Sequence, residues 1–192
     1  MVKLFNAKIL NSFLSEEECD EIVWVANSRP VWEKSNNIYW DDRVISIENS
    51  YRSFGDEFGN FLKDKTYDIK KYIEKAYNLE KNIYPDSISI CRWFPGNEQF
   101  PHADDMKNVN VSGFEHRVFA SIIYLNTNFT GGVTYYPDYN IEVVPEKGKL
   151  AVHPGDSSHM HGVTKVGSDI RYTIASFWTY EEGRNVGWPA SK

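Results

Sequence analysis

Three side chains are of types that can bind a divalent metal, and two of them have a spacing that would let them share one. His102 and Asp104 are two residues apart, and His161 lies far along the chain in a short apolar run. In an extended segment, residues i and i+2 point to one face, so His102 and Asp104 can reach a common centre while Asp105 points away. Two imidazoles and one carboxylate leave open coordination positions on Fe(II), which suits a site that also binds a small molecule and O₂.

The composition indicates a folded, acidic protein. The chain has 192 residues, of which 41% are hydrophobic and 15% aromatic, and its formal net charge is −6. This charge argues against binding to nucleic acid by electrostatics alone. No apolar run approaches the ~20 residues that span a bilayer, and the N-terminus lacks the apolar stretch of a signal peptide. We therefore expect a cytoplasmic protein with no nucleic-acid or membrane partner.

The first half of the chain predicts helices. Ser15 and Glu18 match a capping box, which predicts a helix over about 15–28. Apolar residues at three- and four-residue intervals predict a second helical region over about 53–77. The stretch 32–42 has no clear period, which favours a packed surface loop over a substrate lid.

The second half predicts short strands. They are bounded mostly by Gly, Pro, Asn or Asp, and they cover Ser87–Phe94, Arg117–Leu125, Val133–Tyr136, Ile141–Val144, Lys149–Val152, His161–Val166 and Arg171–Trp178. Short strands without intervening helices favour a closed or double-sheet β structure. We predict a mainly β fold with N-terminal helices and a double-stranded β-helix (jelly-roll) core. The range 1–192 is predicted to be one domain, helical over about 1–84, with its jelly-roll core over about 85–180.

An ordered set of motifs makes the resemblance to one family specific. In chain order the motifs are Trp93-x-x-Gly96, His102-x-Asp104, Gly131-Gly132-Val133-Thr134-Tyr135-Tyr136-Pro137, Pro145-x-x-Gly148, and His161 followed ten residues later by Arg171. This set resembles the prolyl 4-hydroxylase branch of the Fe(II)- and 2-oxoglutarate-dependent oxygenases. That family has Tyr-x-x-Gly, His-x-Asp, Gly-Gly-x-Thr-x-Phe-Pro, Pro-x-x-Gly and a distal His followed by Lys or Arg.

The resemblance implies a role for each matching residue. It implies that His102, Asp104 and His161 bind iron and, with Arg171, form the catalytic set. Arg171 is expected to pair with the distal carboxylate of 2-oxoglutarate, a role that suits the two-pronged donor geometry of a guanidinium. Tyr124 matches a strand position from which some relatives contact that same carboxylate.

Two positions depart from the family pattern. Trp93 stands where the family usually has Tyr, so a hydroxyl contact to the cosubstrate is missing or is supplied elsewhere, and we do not count Trp93 among the site residues. Tyr136 replaces the usual Phe, a change that a strand should tolerate.

Other histidines and the cysteines receive ordinary interpretations. His153 and His159 compete with His161, but the ten-residue spacing to Arg171 favours His161. His116 is expected at the surface. Cys19 and Cys91 are expected to be core thiols, because no CxxC spacing indicates zinc or a redox pair.

Three functional hypotheses follow. The first, implied by the resemblance, is hydroxylation of prolyl residues in a peptide or protein, with O₂ consumed and 2-oxoglutarate converted to succinate and CO₂. The second keeps this chemistry on a free amino acid or another side chain, and the third is a jelly-roll module that binds a metal or small ligand without turnover. Ascorbate is a further candidate cofactor. Because ligation needs neutral imidazoles, iron affinity is expected to fall below roughly pH 6.5.

Overall fold

The computed structural model describes residues 4–107 and 112–186, and this part of the chain contains three helices and twelve strands. The helices are α1 (Glu16–Asn27), α2 (Ile47–Phe54) and α3 (Asp56–Ala76). The strands are β1 (Lys8–Leu10), β2 (Val44–Ser46), β3 (Tyr84–Trp93), β4 (Gln99–His102), β5 (Arg117–Tyr124), β6 (Thr130–Gly131), β7 (Thr134–Tyr136), β8 (Ile141–Val143), β9 (Leu150–Pro154), β10 (His161–Val163), β11 (Val166–Ser168) and β12 (Arg171–Thr179).

The strands form two antiparallel sheets and a small ribbon. The larger sheet has the order β1-β9-β5-β12-β3-β2, the smaller one β4-β10-β7-β8, and β11 pairs with β6. Long-range antiparallel pairing of this kind confirms the predicted jelly-roll core with N-terminal helices.

The helices cover the larger sheet through one hydrophobic core. Ile22 on α1 and Ile69 on α3 belong to the same buried cluster as Ile88 on β3 and Ile174 on β12. Because burial of apolar surface is the main stabilising term, this cluster holds the helices against the larger sheet.

Three sequence predictions of local structure need correction. The helix predicted over 53–77 is two helices, since Gly55 has φ 90° and separates α2 from α3, a conformation that glycine adopts without steric cost. The strand predicted over His161–Val166 is split into β10 and β11. Strands β1 and β2, which pair within the larger sheet, were not among the predicted strands, and neither were β4 and β6.

The domain prediction extends beyond the described residues at both ends. Strand β3 begins at Tyr84, near the predicted change from helices to strands, but β1 and β2 lie before it. The assignment of 1–192 to a single domain stays a prediction. In the ranges that the structure describes, no helix has the length and apolar character needed to cross a membrane.

The start of α1 provides a test of the local folding signal. Ser15 Oγ accepts a hydrogen bond from Glu18 N at 3.1 Å, and Glu18 Oε2 accepts one from Ser15 N at 2.9 Å. Replacing Ser15 by Ala should lower the free energy of unfolding by about 1 kcal/mol, because a helical N–H loses its acceptor. Urea denaturation measures this, with Glu16→Ala in the same turn as a control expected to cost only a few tenths of a kcal/mol. Equal stability of Ser15→Ala and the native chain would contradict the prediction.

Candidate metal centre

Two neighbouring strands of the smaller sheet place the two predicted histidine ligands side by side. His102 at the end of β4 and His161 at the start of β10 are direct cross-strand partners, and their ring centroids are 4.5 Å apart. Asp104 follows β4 in a turn where Asp105 N donates to Gly155 O at 2.9 Å. The turn brings the Asp104 carboxylate back towards the two rings.

The three predicted ligands converge on one point. Asp104 Oδ1 lies 3.7 Å from His102 Nε2 and 3.8 Å from His161 Nε2. One ligand atom from each residue falls within 4.8 Å of the others. For metal–ligand bonds of roughly 2.1 Å, ligand atoms of one shell lie roughly 3–4 Å apart. These three side chains therefore fit one divalent ion.

Backbone carbonyls orient both imidazoles. His102 Nδ1 lies 3.0 Å from Phe100 O, and His161 Nδ1 lies 3.1 Å from His159 O. A proton on each Nδ1 makes it the donor and leaves the Nε2 lone pair facing Asp104, the usual arrangement of a metal-binding histidine. Gln99 Nε2 lies 3.2 Å from His102 Nε2, so a metal on that nitrogen requires the Gln99 amide to turn away.

Burial prepares these groups electrostatically for a cation. Asp104 is 4% exposed, and its Oδ2 has no hydrogen-bond partner among the described residues. Burial raises the pKa of Asp104 to about 6 and lowers the pKa of His161 to about 4. The pKa of His102 is also lowered, first by burial and then by the neighbouring His161. Both imidazoles are therefore neutral at pH 7, and the largely ionised carboxylate is stabilised if a cation binds beside it.

The residues that the sequence analysis set aside lie in other environments. Asp105 is also buried, but its carboxylate accepts from Lys107 N at 3.2 Å and lies 3.2 Å from Lys107 Nζ. His159 ends a short 3-10 turn, where its Nε2 accepts a hydrogen bond from Asn6 N at 3.0 Å. Both cysteines are free and buried, as predicted.

The prediction for His116 was wrong. Its side chain is 6% exposed, and its Nε2 lies 2.6 Å from Asp86 Oδ2, which also accepts from Arg117 Nε at 3.2 Å. A buried aspartate needs such partners. Asp86 is 30 residues from His116 in the chain, and the sequence could not show that the two side chains are in contact.

His153 lies beside the centre without joining the ligand group. It is fully buried on β9, and its ring centroid is 4.2 Å from that of His161. Its Nδ1 lies 3.1 Å from Pro154 O, and its Nε2 has no partner among the described residues. The ring of Tyr136 packs against both histidines, at 5.6 and 5.9 Å. In the sequence, His153 competed with His161 as a ligand and was set aside because only His161 has the ten-residue spacing to Arg171.

Arg171 lines the same cavity as the three predicted ligands. It begins β12 and is 1% exposed, and its Nε and Nη2 have no hydrogen-bond partner in the described part of the chain. The Tyr124 ring centroid lies 5.4 Å from the guanidinium carbon. The hydroxyl of Tyr124 donates to Thr134 Oγ1 at 2.8 Å. Burial lowers the pKa of Arg171, but a guanidinium stays charged in proteins and is stabilised by an anion.

The Gly131-Gly132 turn makes room for this arginine. Gly132 has φ 63°, and a Cβ at this position would lie 2.8 Å from Arg171 Cδ and 2.9 Å from the Phe129 ring. A side chain there would therefore displace Arg171. The sequence indicates only a turn between strands here, whereas the structure shows that the turn also packs against Arg171 beside the cavity.

Comparison with known proteins agrees with this architecture. The profile of the 2OG-Fe(II) oxygenase superfamily matches residues 88–180, which include the three predicted metal ligands and Arg171. Over these residues the chain is similar to the 2OG-Fe(II) oxygenase superfamily, and the relatives to which it is similar are named as prolyl 4-hydroxylases.

The relatives extend this similarity at low identity. "Probable prolyl 4-hydroxylase 7" of Arabidopsis thaliana is 29% identical over 135 residues, or 67% of this chain. The chain spans only 40% of that protein's length, and 46% and 58% of two further curated relatives.

Solved structures share the fold. Viral collagen prolyl hydroxylase from Paramecium bursaria Chlorella virus-1, in complex with 2OG, has a TM-score of 0.68 at 14% identity, with 91% of this chain and 96% of that chain covered. A prolyl hydroxylase from Trichoplax adhaerens, in complex with a hypoxia-inducible-factor peptide fragment, has a TM-score of 0.67 at 16% identity, with 96% and 88% covered.

The pKa shifts predict how metal affinity depends on pH. Protons compete with the metal for each ligand atom, and Asp104, whose pKa is raised to about 6, is protonated before His161, whose pKa is lowered to about 4, as the pH falls. We expect Mn(II) affinity, measured by titration calorimetry without O₂, to stay level from pH 8 to about pH 6.5 and to fall below about pH 6. His161 contributes at lower pH because its pKa is lowered to about 4. An affinity that is unchanged down to about pH 4.5 would contradict this ligand set.

A matched pair of aspartate variants tests the choice of carboxylate. Asp104→Asn should weaken Mn(II) binding at least roughly tenfold, about 1.4 kcal/mol, because an amide oxygen carries no net charge. Asp105→Asn should leave the affinity within roughly twofold, since Asp105 pairs with Lys107. Circular dichroism checks that both variants fold. The opposite order of effects would show that Asp105 is the ligand.

Proposed function

We propose that this chain is an Fe(II)- and 2-oxoglutarate-dependent hydroxylase that acts on prolyl residues of a peptide or protein. One observation carries the proposal. A cavity is lined at once by a convergent His102, Asp104 and His161 group and by Arg171, a buried arginine with two unpartnered nitrogens among the described residues. A chelating dicarboxylate would offset both features, since one end can reach the metal and the other the guanidinium.

The side chains have separate tasks in this proposal. His102, Asp104 and His161 hold the metal from one side and leave its other positions for cosubstrate and O₂. Bound Fe(II) would supply the oxygen activation that no side chain of this chain can supply. Arg171 holds the far carboxylate of 2-oxoglutarate through its two free N–H groups, and each charge-assisted hydrogen bond contributes roughly 1.5–3 kcal/mol.

The apolar walls of the cavity keep water away from the reacting groups. Val163, Ile122, Ala175 and Phe177 line it together with the polar residues. In such surroundings the interaction between Arg171 and a carboxylate is screened less than in water. Pairing of one carboxylate with Arg171 would orient the cosubstrate, with its keto acid end towards the three metal ligands.

The prolyl substrate is supported by the relatives. The curated proteins similar to this chain carry prolyl 4-hydroxylase names, and the Trichoplax adhaerens enzyme was solved with a peptide. We extend this peptide chemistry to the present chain as part of the proposal. The cytoplasmic location and the use of ascorbate stay predictions.

A succinate assay tests the reaction class. The protein incubated with Fe(II), 2-oxoglutarate and O₂ should release succinate, and the release should stop when iron or O₂ is omitted. Mass spectrometry of proline-containing peptides should then show one added oxygen on proline. Succinate release with oxygen added to another side chain would leave the reaction class intact and overturn the prolyl substrate. Tight binding of metal and 2-oxoglutarate without succinate would instead indicate a binding module.

Arg171 gives the sharpest variant for the cosubstrate end. Arg171→Leu keeps an apolar side chain in the buried position but removes the donors, so the 2-oxoglutarate concentration for half-maximal succinate release should rise roughly tenfold or more, for a loss above about 1.4 kcal/mol. Arg92→Leu is a control, because Arg92 pairs with Asp42 at 2.8 Å and does not line the cavity. Unchanged dependence on 2-oxoglutarate in Arg171→Leu would contradict the assigned role.

A further inference from the structure

One buried histidine beside the predicted metal centre has no task in the proposed function. His153 is 0% exposed and lines the same cavity as the three predicted ligands. Its Nε2 has no hydrogen-bond partner among the described residues. An unpaired buried polar atom costs about 1–3 kcal/mol, so an apolar ring would pack in this position at lower cost. The presence of an imidazole therefore indicates a task for one of its nitrogen atoms.

Strand β9 directs the His153 side chain into the space between the two sheets. His153 pairs with Ala120 on β5, and both residues line the cavity. Neighbouring rings hold the imidazole in place, since the His161 ring lies 4.2 Å away and the Tyr136 ring meets it edge-on at 5.6 Å, centroid to centroid. A closely packed ring has little freedom to turn. The fold therefore sets the direction in which each nitrogen of His153 points.

The surroundings of Nδ1 determine which nitrogen of His153 carries the proton. Nδ1 lies 3.1 Å from Pro154 O and 3.7 Å from Asp104 Oδ2. A backbone carbonyl and an ionised carboxylate only accept hydrogen bonds. A lone pair on Nδ1 would face two acceptors, whereas a proton on Nδ1 is attracted to both. We therefore assign the proton of the neutral imidazole to Nδ1, which leaves Nε2 as an acceptor.

The two carboxylate oxygens of Asp104 face different neighbours. Oδ1 lies 3.7 Å from His102 Nε2 and 3.8 Å from His161 Nε2, so Oδ1 is the oxygen that faces the predicted metal centre. Oδ2 lies beside His153 Nδ1 and receives no hydrogen bond from the described residues. The separation of Oδ2 and Nδ1 exceeds the usual length of an N–H···O hydrogen bond by roughly 0.5 Å. A small rotation of the carboxylate would close this gap.

We propose that His153 is a positioning residue of the metal centre, whose Nδ1–H donates to Asp104 Oδ2 and so presents Oδ1 to the metal. Hydrogen bonds from outside the ligand set orient metal ligands, and losing one typically costs roughly 10- to 100-fold in metal affinity. The group whose ligand atoms lie within 4.8 Å of one another contains His102, Asp104 and His161 but not His153. His153 therefore acts through Asp104 and not as a fourth ligand. The inference rests on the proposed function for the presence of a metal at this centre.

Amide substitutions separate the two nitrogen atoms of His153. An Asn amide can place its N–H where Nδ1 lies, a Gln amide reaches the place of Nε2, and Phe keeps only a ring. Mn(II) affinity, measured by titration calorimetry without O₂, should fall roughly tenfold in His153→Phe and His153→Gln. It should stay within roughly twofold of the native value in His153→Asn, which keeps the donor to Asp104.

Two further measurements distinguish positioning from a structural role. The visible absorption bands of the Co(II)-loaded protein report the ligand geometry, so they should shift in His153→Phe and return towards the native position in His153→Asn. Thermal unfolding of the metal-free proteins should show a Tm for His153→Phe no lower than the native Tm, because the new ring buries no unpaired polar atom.

The outcomes separate this inference from the proposed function. Native Mn(II) affinity in His153→Phe would overturn the role of His153 and leave the proposed function standing. An affinity in His153→Asn no higher than in His153→Gln would also overturn it, because the rescue would not depend on the position of Nδ1. A weaker affinity that accompanies a lower Tm in all three variants would indicate a structural role instead. Failure of the native protein to bind Mn(II) would overturn the metal centre, and with it both the proposed function and the inference.

Discussion

Two buried, oppositely charged groups set the central constraint on this molecule. Asp104 is 4% exposed and Arg171 is 1% exposed, yet within the described residues neither forms an ion pair with a permanently charged side chain. Isolating a charge from water costs several kcal/mol unless a counter-charge and hydrogen bonds compensate. A fold that keeps one carboxylate and one guanidinium in this condition around a single cavity is adapted to a ligand pair of opposite charges, a cation beside Asp104 and an anion beside Arg171.

The jelly roll supplies this arrangement by combining its two sheets. The smaller sheet pairs His102 with His161 across β4 and β10, and the larger sheet pairs Trp93 with Arg171 across β3 and β12. Each pair is fixed by strand register, because a one-residue slip would turn its side chains to the opposite face. Gly132 then allows close approach to Arg171, so the site depends on backbone geometry as much as on its polar side chains.

The sequence was sufficient for the fold class and for the choice of three side chains that the structure brings together, but not for the surroundings of those side chains. The capping box at Ser15 and the ordered motifs are local signals, and the structure has the capped helix, the jelly roll and a convergent group of the three predicted metal ligands. The burial of His116 against Asp86, the position of His153 beside His161, and the unpartnered N–H of Trp93 all depend on contacts between distant segments. Periodicity and spacing carry no information on such contacts. Gly55, which divides the predicted second helix, was visible in the sequence, but a single glycine inside a helical pattern does not by itself indicate a break.

The most direct test is a crystal structure with Mn(II) and 2-oxoglutarate, grown without O₂ and analysed by anomalous diffraction. We expect one strong anomalous peak within bonding distance of His102 Nε2, His161 Nε2 and the Asp104 carboxylate, with the distal carboxylate of the cosubstrate on Arg171. A metal peak that leaves these three side chains unligated, or a cosubstrate oriented away from Arg171, would contradict it.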